Sequence, residues 1–293
     1  MTIRTPAGRR RFRGAARERR NDPAGSRSAI DVFFEALASS PTRVLLTDYD
    51  GTLAPFRRDR EDVFPDLRVA GALRALAEEG RTRLVIVSGR ALSDLARHAE
   101  WLRPRPELWG SHGLERWTPG RGREAPPVAR PLGDLLDNLE SWMSGRGGAD
   151  LFERKPYGFA LHERPDPSRY PEIRDGLLLE WSAACARAGL RLFPFDGGIE
   201  FRTAAATKGN VIRTILGEAG PEAAIAYLGD DATDEDAFEA LAERGLSILV
   251  RARPRATKAD VRLRPPDELE AFLERWLRID RGSGRAPASG ARA

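Results

Sequence analysis

The chain has 293 residues, enough for one large domain or two modest ones, and it contains no run of about 18 apolar residues that could span a membrane. Its formal net charge is +4, of which residues 1–28 carry +7 and residues 281–293 carry +3, leaving −6 for residues 29–280. We predict that both Arg-rich ends are disordered, because such segments cannot build a core. A single cysteine, Cys185, excludes an internal disulfide framework, and no apolar secretory signal is visible, so we expect a cytoplasmic location.

Strands and helices alternate through most of the remaining sequence. Short apolar runs are typical of buried strands, and the segments between them carry apolar residues at helical spacing. The predicted strands are 44–46, 84–87, 108–109, 224–228 and 247–250. The predicted helices lie at 31–38 and after Asp66, Arg90, Lys208, Asp234 and Asp267. This order predicts an α/β fold with a parallel sheet and helices on both faces.

A different pattern interrupts this alternation. A Pro- and Gly-rich stretch, 119–131, indicates a linker. Beyond it we predict, in order, a helix at 132–143, strands at 150–155 and 158–164, a helix at 168–188 and strands at 190–194 and 198–202. The sequence therefore predicts a discontinuous core, residues 29–120 and 204–280, with an α+β module inserted at residues 121–203.

Two carboxylates at the end of the first predicted strand are the most informative feature of the chain. The apolar run from Val44 ends in Asp48 and Asp50, and Gly51 and Thr52 follow at once. Alternate side chains of an extended chain point the same way, so the two acids can converge on one site. Acids so close are costly unless they share a proton or a cation, and Mg²⁺ prefers oxygen ligands. One carboxylate can then attack phosphorus while the other transfers the leaving-group proton.

Further strand and helix ends offer the groups that phosphoryl transfer needs. Asp230 emerges directly from its strand and is our third Mg²⁺ ligand, with Asp231 or Asp234 in support. Ser88 offers a hydroxyl and backbone amides beside a helix start, where an anion is favoured. Lys208 opens a helix and can pair with a carboxylate and with a phosphate oxygen. A capping serine, acids that suit a helix dipole and a solvated lysine are the plain structural alternatives.

Motifs in this order resemble those of the haloacid dehalogenase superfamily of aspartate-nucleophile phosphatases. They are Asp48-Tyr49-Asp50-Gly51-Thr52-Leu53, Ser88-Gly89-Arg90, Lys208-Gly209 and Gly229-Asp230-Asp231. Three additional blocks, at 110–115, 153–164 and 229–238, are similar to trehalose-6-phosphate phosphatases in particular. The resemblance covers roughly residues 30–278. It implies a Rossmann-like parallel-sheet core with an inserted α+β cap, and hydrolysis of trehalose 6-phosphate to trehalose and phosphate.

The resemblance also implies a role for each matched residue. Asp48 is the nucleophile that forms an aspartyl phosphate, and Asp50 protonates the sugar oxygen and then activates water. Ser88 and Lys208 bind the transferring phosphoryl group, while Asp48, Asp50 and Asp230 hold Mg²⁺. The other matched positions are expected to contact the substrate, and they are Gly89, Arg90, His112, Glu153, Lys155, His162 and Glu200.

Two other functions stay open at this point. A related capped phosphatase for sucrose phosphate or a mannosyl phosphate would share the core and differ in the cap. An inactive homologue that binds a sugar phosphate as a sensor would be expected to lack one of the core carboxylates or the lysine, and this chain has them all. We expect a small-molecule substrate, no nucleic acid and no membrane as partners. We also expect a monomer, and the sequence leaves room for a synthase partner.

Overall fold

The structure of the chain, a computed structural model, describes residues 28–55 and 63–282. Apart from residues 28, 281 and 282, the two ends that the sequence predicts to be disordered lie outside these described residues. The strands, numbered in chain order, are β1 Arg43–Thr47, β2 Thr82–Val87, β3 Glu107–Gly110, β4 Glu115–Thr118, β5 Gly122–Glu124, β6 Phe152–Lys155, β7 Gly158–His162, β8 Leu190–Phe195, β9 Gly198–Thr203, β10 Ala224–Gly229, β11 Leu246–Val250 and β12 Val261–Leu263. The helices are α1 Ala29–Ser39, α2 Leu67–Glu79, α3 Leu92–His98, α4 Arg130–Gly145, α5 Tyr170–Arg187, α6 Lys208–Ala219, α7 Glu235–Leu241 and α8 Asp267–Gly282.

The larger of two sheets has eight strands in the order β12-β11-β10-β1-β2-β3-β4-β5. The strands from β12 to β3 run parallel, and β4 and β5 return antiparallel. Because parallel strands end at the same edge, the residues that follow β10, β1 and β2 lie side by side there. The predicted parallel α/β sheet is confirmed, and the polar residues that follow its strands lie together at the carboxyl edge.

Both faces of this sheet are covered, as the near-continuous apolar strands predict. Leu45 of β1 packs into one hydrophobic cluster together with α2 and α8, whereas its neighbours Val44 and Leu46 pack into a second cluster with α6 and α7. All three side chains are fully buried, and each contributes about 1.5–3 kcal/mol to the free energy of unfolding. The central strands are therefore fixed from both sides, which gives the residues at their ends a rigid base.

Part of the predicted linker is a β-strand, so the linker prediction is wrong over that part. The sequence predicts a linker over 119–131, but residues 122–124 form β5 and pair with β4 at the edge of the larger sheet. Gly120 and Gly122 have φ of +77° and +84°, the left-handed region that glycine enters at low cost, and they let the chain reverse. Both strands are too short and too charged to show strand alternation, and β12 escapes prediction for the same reason. The proposed core and insert boundaries at 120 and 203 stay predictions.

The second sheet is antiparallel, with four strands in the order β6-β7-β9-β8. Its helix-covered face packs on α4 and α5, where Phe159 and Phe201 stack with ring centroids 5.1 Å apart. Because side chains alternate along a strand, the neighbours of these apolar residues point to the opposite face. That opposite face carries polar side chains and looks toward the carboxyl edge of the larger sheet. No helix within residues 28–55 and 63–282 is long and apolar enough to cross a membrane.

Candidate active site

Buried carboxylates surround one lysine at the carboxyl edge of the larger sheet. Asp48 follows β1, and its backbone N–H donates to the carbonyl of Leu228 at 2.8 Å, which continues the pairing with β10. Lys208, the first residue of α6, places its Nζ 3.0 Å from Asp48 Oδ1 and 2.7 Å from Asp234 Oδ1. Carboxylate oxygens of Asp48, Asp230 and Asp234 all lie within 4.8 Å of one another. The sequence-predicted Asp48, Lys208 and Asp230 therefore meet in one place.

The charges of this cluster do not balance. Burial raises the pKa of Asp48 to about 7, with the negative charges of Asp234 and Asp50 adding to the effect and Lys208 opposing it. Burial, followed by the charges of Asp48 and Asp234, raises the pKa of Asp230 well above its ordinary value. Burial lowers the pKa of Lys208, but the adjacent Asp234 and Asp48 outweigh it and the pKa rises. A divalent cation would relieve this surplus of buried negative charge, so the donor set fits a hard metal ion.

Asp234 is held by protein groups at both oxygens. Its Oδ1 accepts hydrogen bonds from Lys208 Nζ and from the Tyr227 hydroxyl at 2.7 and 2.6 Å. Its Oδ2 accepts from the backbone N–H groups of Asp230 and Asp231, both at 3.0 Å. Asp234 therefore connects the end of β10 to Lys208 through hydrogen bonds. Because both of its oxygens already accept these bonds, Asp48 and Asp230 are the carboxylates better placed to bind a cation.

Asp50 lies apart from this cluster, in a tight turn that Gly51 makes with a φ of +88°. Its Oδ1 accepts from Arg90 Nη2 and its Oδ2 from Arg90 Nε, each at 2.7 Å. The third nitrogen, Arg90 Nη1, donates to Asp94 Oδ2 at 2.8 Å. The structure therefore pairs Asp50 with a guanidinium group, and Asp50 is not among the carboxylates that gather around Lys208.

The loop after β2 brings Ser88 and Gly89 to the same edge. Ser88 is buried, and its backbone N–H donates to the carbonyl of Trp109 at 2.8 Å. Its carbonyl accepts from the backbone N–H of His112 at 3.0 Å, and His112 adopts a φ of +54°. The imidazole lies directly on Gly89, where a Cβ atom would come within 2.6 Å of His112 Nε2. A side chain at position 89 would displace the imidazole, so glycine leaves the ring its place against this loop.

The pairing register of the smaller sheet brings the predicted cap residues onto one face. Glu153 and Glu200 lie on either side of Ala160, so three neighbouring strands place them in one row. Lys155 lies two residues along β6 and therefore shares that face. His162 pairs with Gly198 at the end of β7, again on the same side. Small residues in the middle of this face leave room between the charged groups.

A chain of polar contacts links this face to the loop after β3. His162 Nε2 lies 2.9 Å from Glu153 Oε2, and Lys155 Nζ lies 2.7 Å from Glu200 Oε1. Glu200 Oε2 in turn lies 2.8 Å from His112 Nε2, which joins the two sheets. Burial opposes ionisation of Glu200, but the neighbouring His112 and Lys155 outweigh it and hold the pKa of Glu200 below its ordinary value. Burial lowers the pKa of His112.

One cleft, continuous with solvent, collects these groups from both sheets. Every predicted catalytic and substrate-binding residue lines it: Asp48, Asp50, Ser88, Gly89, Arg90, His112, Glu153, Lys155, His162, Glu200 and Lys208. Asp230 belongs to the carboxylate cluster beneath Asp48 and does not line the cleft. The roles of these residues stay predictions, but their meeting in one cleft is a fact of the structure.

A model of the trehalose-phosphatase family matches residues 46–267 of the chain. The chain belongs to the trehalose-phosphatase family. The match runs from β1 to the start of α8, so it includes both sheets and every residue of the cleft. The prediction that the chain is an enzyme, a phosphatase of this family, is confirmed. Membership implies a divalent metal and a small sugar phosphate as the substrate.

Individual trehalose-phosphatase relatives agree with this assignment. Trehalose-phosphate phosphatase B of Arabidopsis thaliana is 26% identical over 279 residues, which cover 85% of this chain and 71% of that protein. The trehalose-phosphate phosphatase of Mycobacterium marinum is 31% identical over 250 residues, which cover 80% of this chain but only 61% of the relative. The C-terminal domain of trehalose-6-phosphate phosphatase from C. albicans superposes with a TM-score of 0.69 at 20% identity, covering 86% of this chain and 96% of that one. At that identity the likeness shows the fold alone.

Other residues of this trehalose-phosphatase cleft escape sequence reasoning. Phe195 lines the cleft and meets the His162 ring edge-on, with centroids 5.4 Å apart. Arg164, two residues beyond His162, also lines the cleft and donates to the carbonyl of Asp196 at 3.1 Å. The β8–β9 turn meets the larger sheet at this point, where Arg251 Nη2 donates to Asp196 Oδ2 at 2.9 Å. The Asp196-Gly197 pair is a hairpin-turn signal, but no local pattern of the sequence indicates that Phe195 and Arg164 reach the cleft.

Proposed function

We propose that the chain hydrolyses trehalose 6-phosphate to trehalose and phosphate through an aspartyl phosphate on Asp48. The observation that carries this proposal is the position of Asp48: a buried carboxylate, 3.0 Å from Lys208 Nζ, at one wall of a cleft whose other wall bears polar groups in register. At one end of the cleft a carboxylate nucleophile lies beside the ammonium group of Lys208, which suits a phosphate group. At the other end a row of hydrogen-bonding groups suits a polyol joined to that phosphate. The relatives named for trehalose phosphate support the same substrate.

The chemistry proceeds in two displacements at phosphorus. A carboxylate oxygen of Asp48 attacks phosphorus, the bond to the sugar oxygen breaks, and Asp50 gives that oxygen its proton. A water molecule then loses a proton to Asp50 and attacks phosphorus, which breaks the Asp48–phosphate bond and restores both carboxyl groups. Lys208 and Ser88 bind the phosphoryl oxygens throughout. Attack requires the ionised form of Asp48, which the adjacent Lys208 favours.

Mg²⁺ is the divalent cation that we propose for the carboxylate cluster. Asp48 and Asp230 would hold it, and when bound it supplies positive charge that stabilises the phosphoryl oxygens. Asp234 would orient Lys208 and the end of β10, since both of its oxygens already accept hydrogen bonds from protein groups. A metal contact from Asp50 stays a prediction, because its carboxylate oxygens bind Arg90 here.

Recognition of the sugar rests on the polar face of the smaller sheet. Glu153, Lys155, His162 and Glu200 would exchange part of their mutual contacts for hydroxyl groups of the disaccharide. His112 and Gly89 would contact the substrate between the two regions, since the imidazole lies against the loop after β2 and also contacts Glu200 of the polar face. A site built from fixed charged groups distinguishes disaccharides by the positions of their hydroxyls. Sucrose phosphate and mannosyl phosphates are therefore the competing substrates to test.

The test is phosphate release across trehalose 6-phosphate, sucrose phosphate, a mannosyl phosphate and glucose 6-phosphate, each with Mg²⁺ and with EDTA. We expect the highest kcat/KM for trehalose 6-phosphate and no turnover in EDTA. A higher kcat/KM for another member of the panel would overturn the substrate. Tight binding of sugar phosphate without any turnover would instead favour the non-enzymatic sensor.

We further propose that the enzyme acts as a monomer in the cytoplasm, without nucleic acid or membrane, and that a synthase could associate with it. The single buried cysteine and the net charge of −6 over residues 29–280 support a reducing compartment and argue against a polyanionic partner. Sedimentation of the full chain tests the first point, and we expect a single species of monomer mass.

A further inference from the structure

We propose that Arg90 is a positioning residue for Asp50, and that it acts on the reaction through that carboxylate and not through a contact with substrate. The inference rests on the proposed function, because it assumes that Asp50 transfers protons in the two displacements. It goes beyond that function by giving Arg90 a different role from the substrate contact that the family resemblance implies.

The contact between Arg90 and Asp50 has the geometry of a paired fork. Arg90 Nε and Nη2 donate to Asp50 Oδ2 and Oδ1, both at 2.7 Å. Two parallel bonds fix the plane of a carboxylate, whereas one bond from an ammonium group would leave it free to rotate. Each oxygen keeps a second lone pair, and the partly exposed Asp50 side chain lines the cleft, so proton transfer stays open.

The guanidinium group is itself fixed from behind by α3. Arg90 Nη1 donates to Asp94 Oδ2 at 2.8 Å and lies 3.2 Å from His98 Nε2. Asp94 and His98 are one helical turn apart, so the helix presents both to the same guanidinium. Arg90 is only 3% exposed, which restricts its motion further. All three nitrogens of the group therefore contact protein partners, and the fork cannot turn toward a phosphate without releasing Asp50.

Lys208 provides the contrast on the other carboxylate of the motif. It approaches Asp48 with a single Nζ at 3.0 Å and is shared with Asp234, an arrangement that supplies charge but does not fix a plane. The nucleophile needs charge beside it, while a group that must give and later take a proton needs a constant direction. The choice of lysine for one acid and arginine for the other follows from these different needs.

The test is steady-state kinetics of Arg90→Lys and Arg90→Ala, with the sugar phosphate that the unaltered chain hydrolyses best. We expect kcat to fall roughly 100-fold in Arg90→Lys, because a misdirected proton donor costs that order of rate, and KM to stay within about twofold. Added guanidinium ion should raise kcat of Arg90→Ala about 10-fold or more by filling the vacated site. Arg97→Lys is the matched control: Arg97 also binds Asp94, at 2.7 Å, but it is exposed, and we expect no change.

A second variant covers the case in which buried Arg90 variants fail to fold. Asp94→Asn keeps the shape of the side chain and weakens its bonds to Arg90 and to the exposed Arg97, and Arg97→Lys controls for the second of these. We expect kcat to fall about threefold at unchanged KM and nearly unchanged thermal unfolding. A KM raised 10-fold or more in Arg90→Lys at unaltered kcat would make Arg90 a substrate contact and overturn the proposal, as would unaltered kinetics in both variants. Wild-type-like activity of Asp48→Asn, measured alongside, would instead overturn the proposed function.

Discussion

The two walls of the cleft position their functional groups by different means. At the carboxyl edge of the larger sheet each group follows a strand or opens a helix, and Asp48, Lys208 and Asp230 meet because parallel strands end together. On the smaller sheet the groups lie within the strands, and Glu153 and Glu200 share a row because the pairing register places them there. Topology therefore determines the position of the groups that we propose for the reaction, whereas strand register determines the position of those that we propose for sugar binding.

The two walls also differ in charge balance. The edge gathers buried acids around one lysine, a surplus of negative charge that favours a metal cation. The polar face pairs each carboxylate with a basic partner, Glu153 with His162 and Glu200 with Lys155, which suits a neutral polyol. Changes at the edge should therefore abolish turnover and metal binding, while changes on the face should alter KM and the choice of substrate.

The largest effect is expected at the edge, from Asp48→Asn. Removing the nucleophile should lower kcat by roughly 10⁴-fold or more. The fold should persist, because the amide has the same shape and removes one of several repelling buried charges. Phosphate release and thermal unfolding measure the two effects. Unfolding of the variant at markedly lower temperature would show that Asp48 holds the fold as well as the chemistry.

Variants at the carboxyl edge of the larger sheet should lose metal binding, whereas variants on the polar face of the smaller sheet should keep it. Saturating Mg²⁺ should raise the unfolding temperature of the unaltered chain, because a ligand that binds only the folded state stabilises it. Asp230→Asn should lose that rise together with turnover. Glu153→Gln, on the other wall, is the matched variant and should keep the rise in full. Equal loss in both variants would break the distinction between the two walls.

A smaller effect is expected from Glu200→Gln on the polar face. Glu200 is buried, and its carboxylate binds both Lys155 and His112, so the amide weakens two charged hydrogen bonds at once. We expect KM for trehalose 6-phosphate to rise roughly 10-fold, with a smaller change in kcat. Glu140→Gln is the control, since that exposed residue binds Arg154 on the helix-covered side. A fall in kcat at constant KM would place Glu200 in the chemistry and contradict its assignment to the sugar.

The smallest effect is expected from Tyr227→Phe, which acts on the edge indirectly. The hydroxyl donates to Asp234 at 2.6 Å, and Asp234 in turn holds Lys208. Losing this bond should cost about 1–2 kcal/mol in the free energy of unfolding and lower kcat about threefold. Tyr157→Phe is the control, because its hydroxyl donates to the carbonyl of Pro126, remote from the carboxylates. Equal effects of the two changes on kcat would mean that Tyr227 only supports the fold.

The sequence predicted the residues at the carboxyl edge of the larger sheet better than the contacts between the two walls. Asp48, Ser88 and Asp230 could be placed because a polar residue directly after an apolar strand has one direction to go in a parallel sheet. The fork between Asp50 and Arg90 was not predicted, although the two residues follow the adjacent strands β1 and β2, because the order of the strands does not determine which side chains pair. Phe195 and Arg164 were missed because their place in the cleft depends on how the smaller sheet meets the larger one. Local pattern does not encode that contact.

The central claim is that Asp48 becomes phosphorylated during turnover. Rapid acid quenching of the enzyme with trehalose 6-phosphate labelled in the phosphate, followed by peptide mapping, tests it directly. We expect label on the peptide that contains Asp48 in the unaltered enzyme, and none on it in Asp48→Asn. Turnover of the unaltered enzyme with no label on that peptide, or with label on another residue, would contradict the claim.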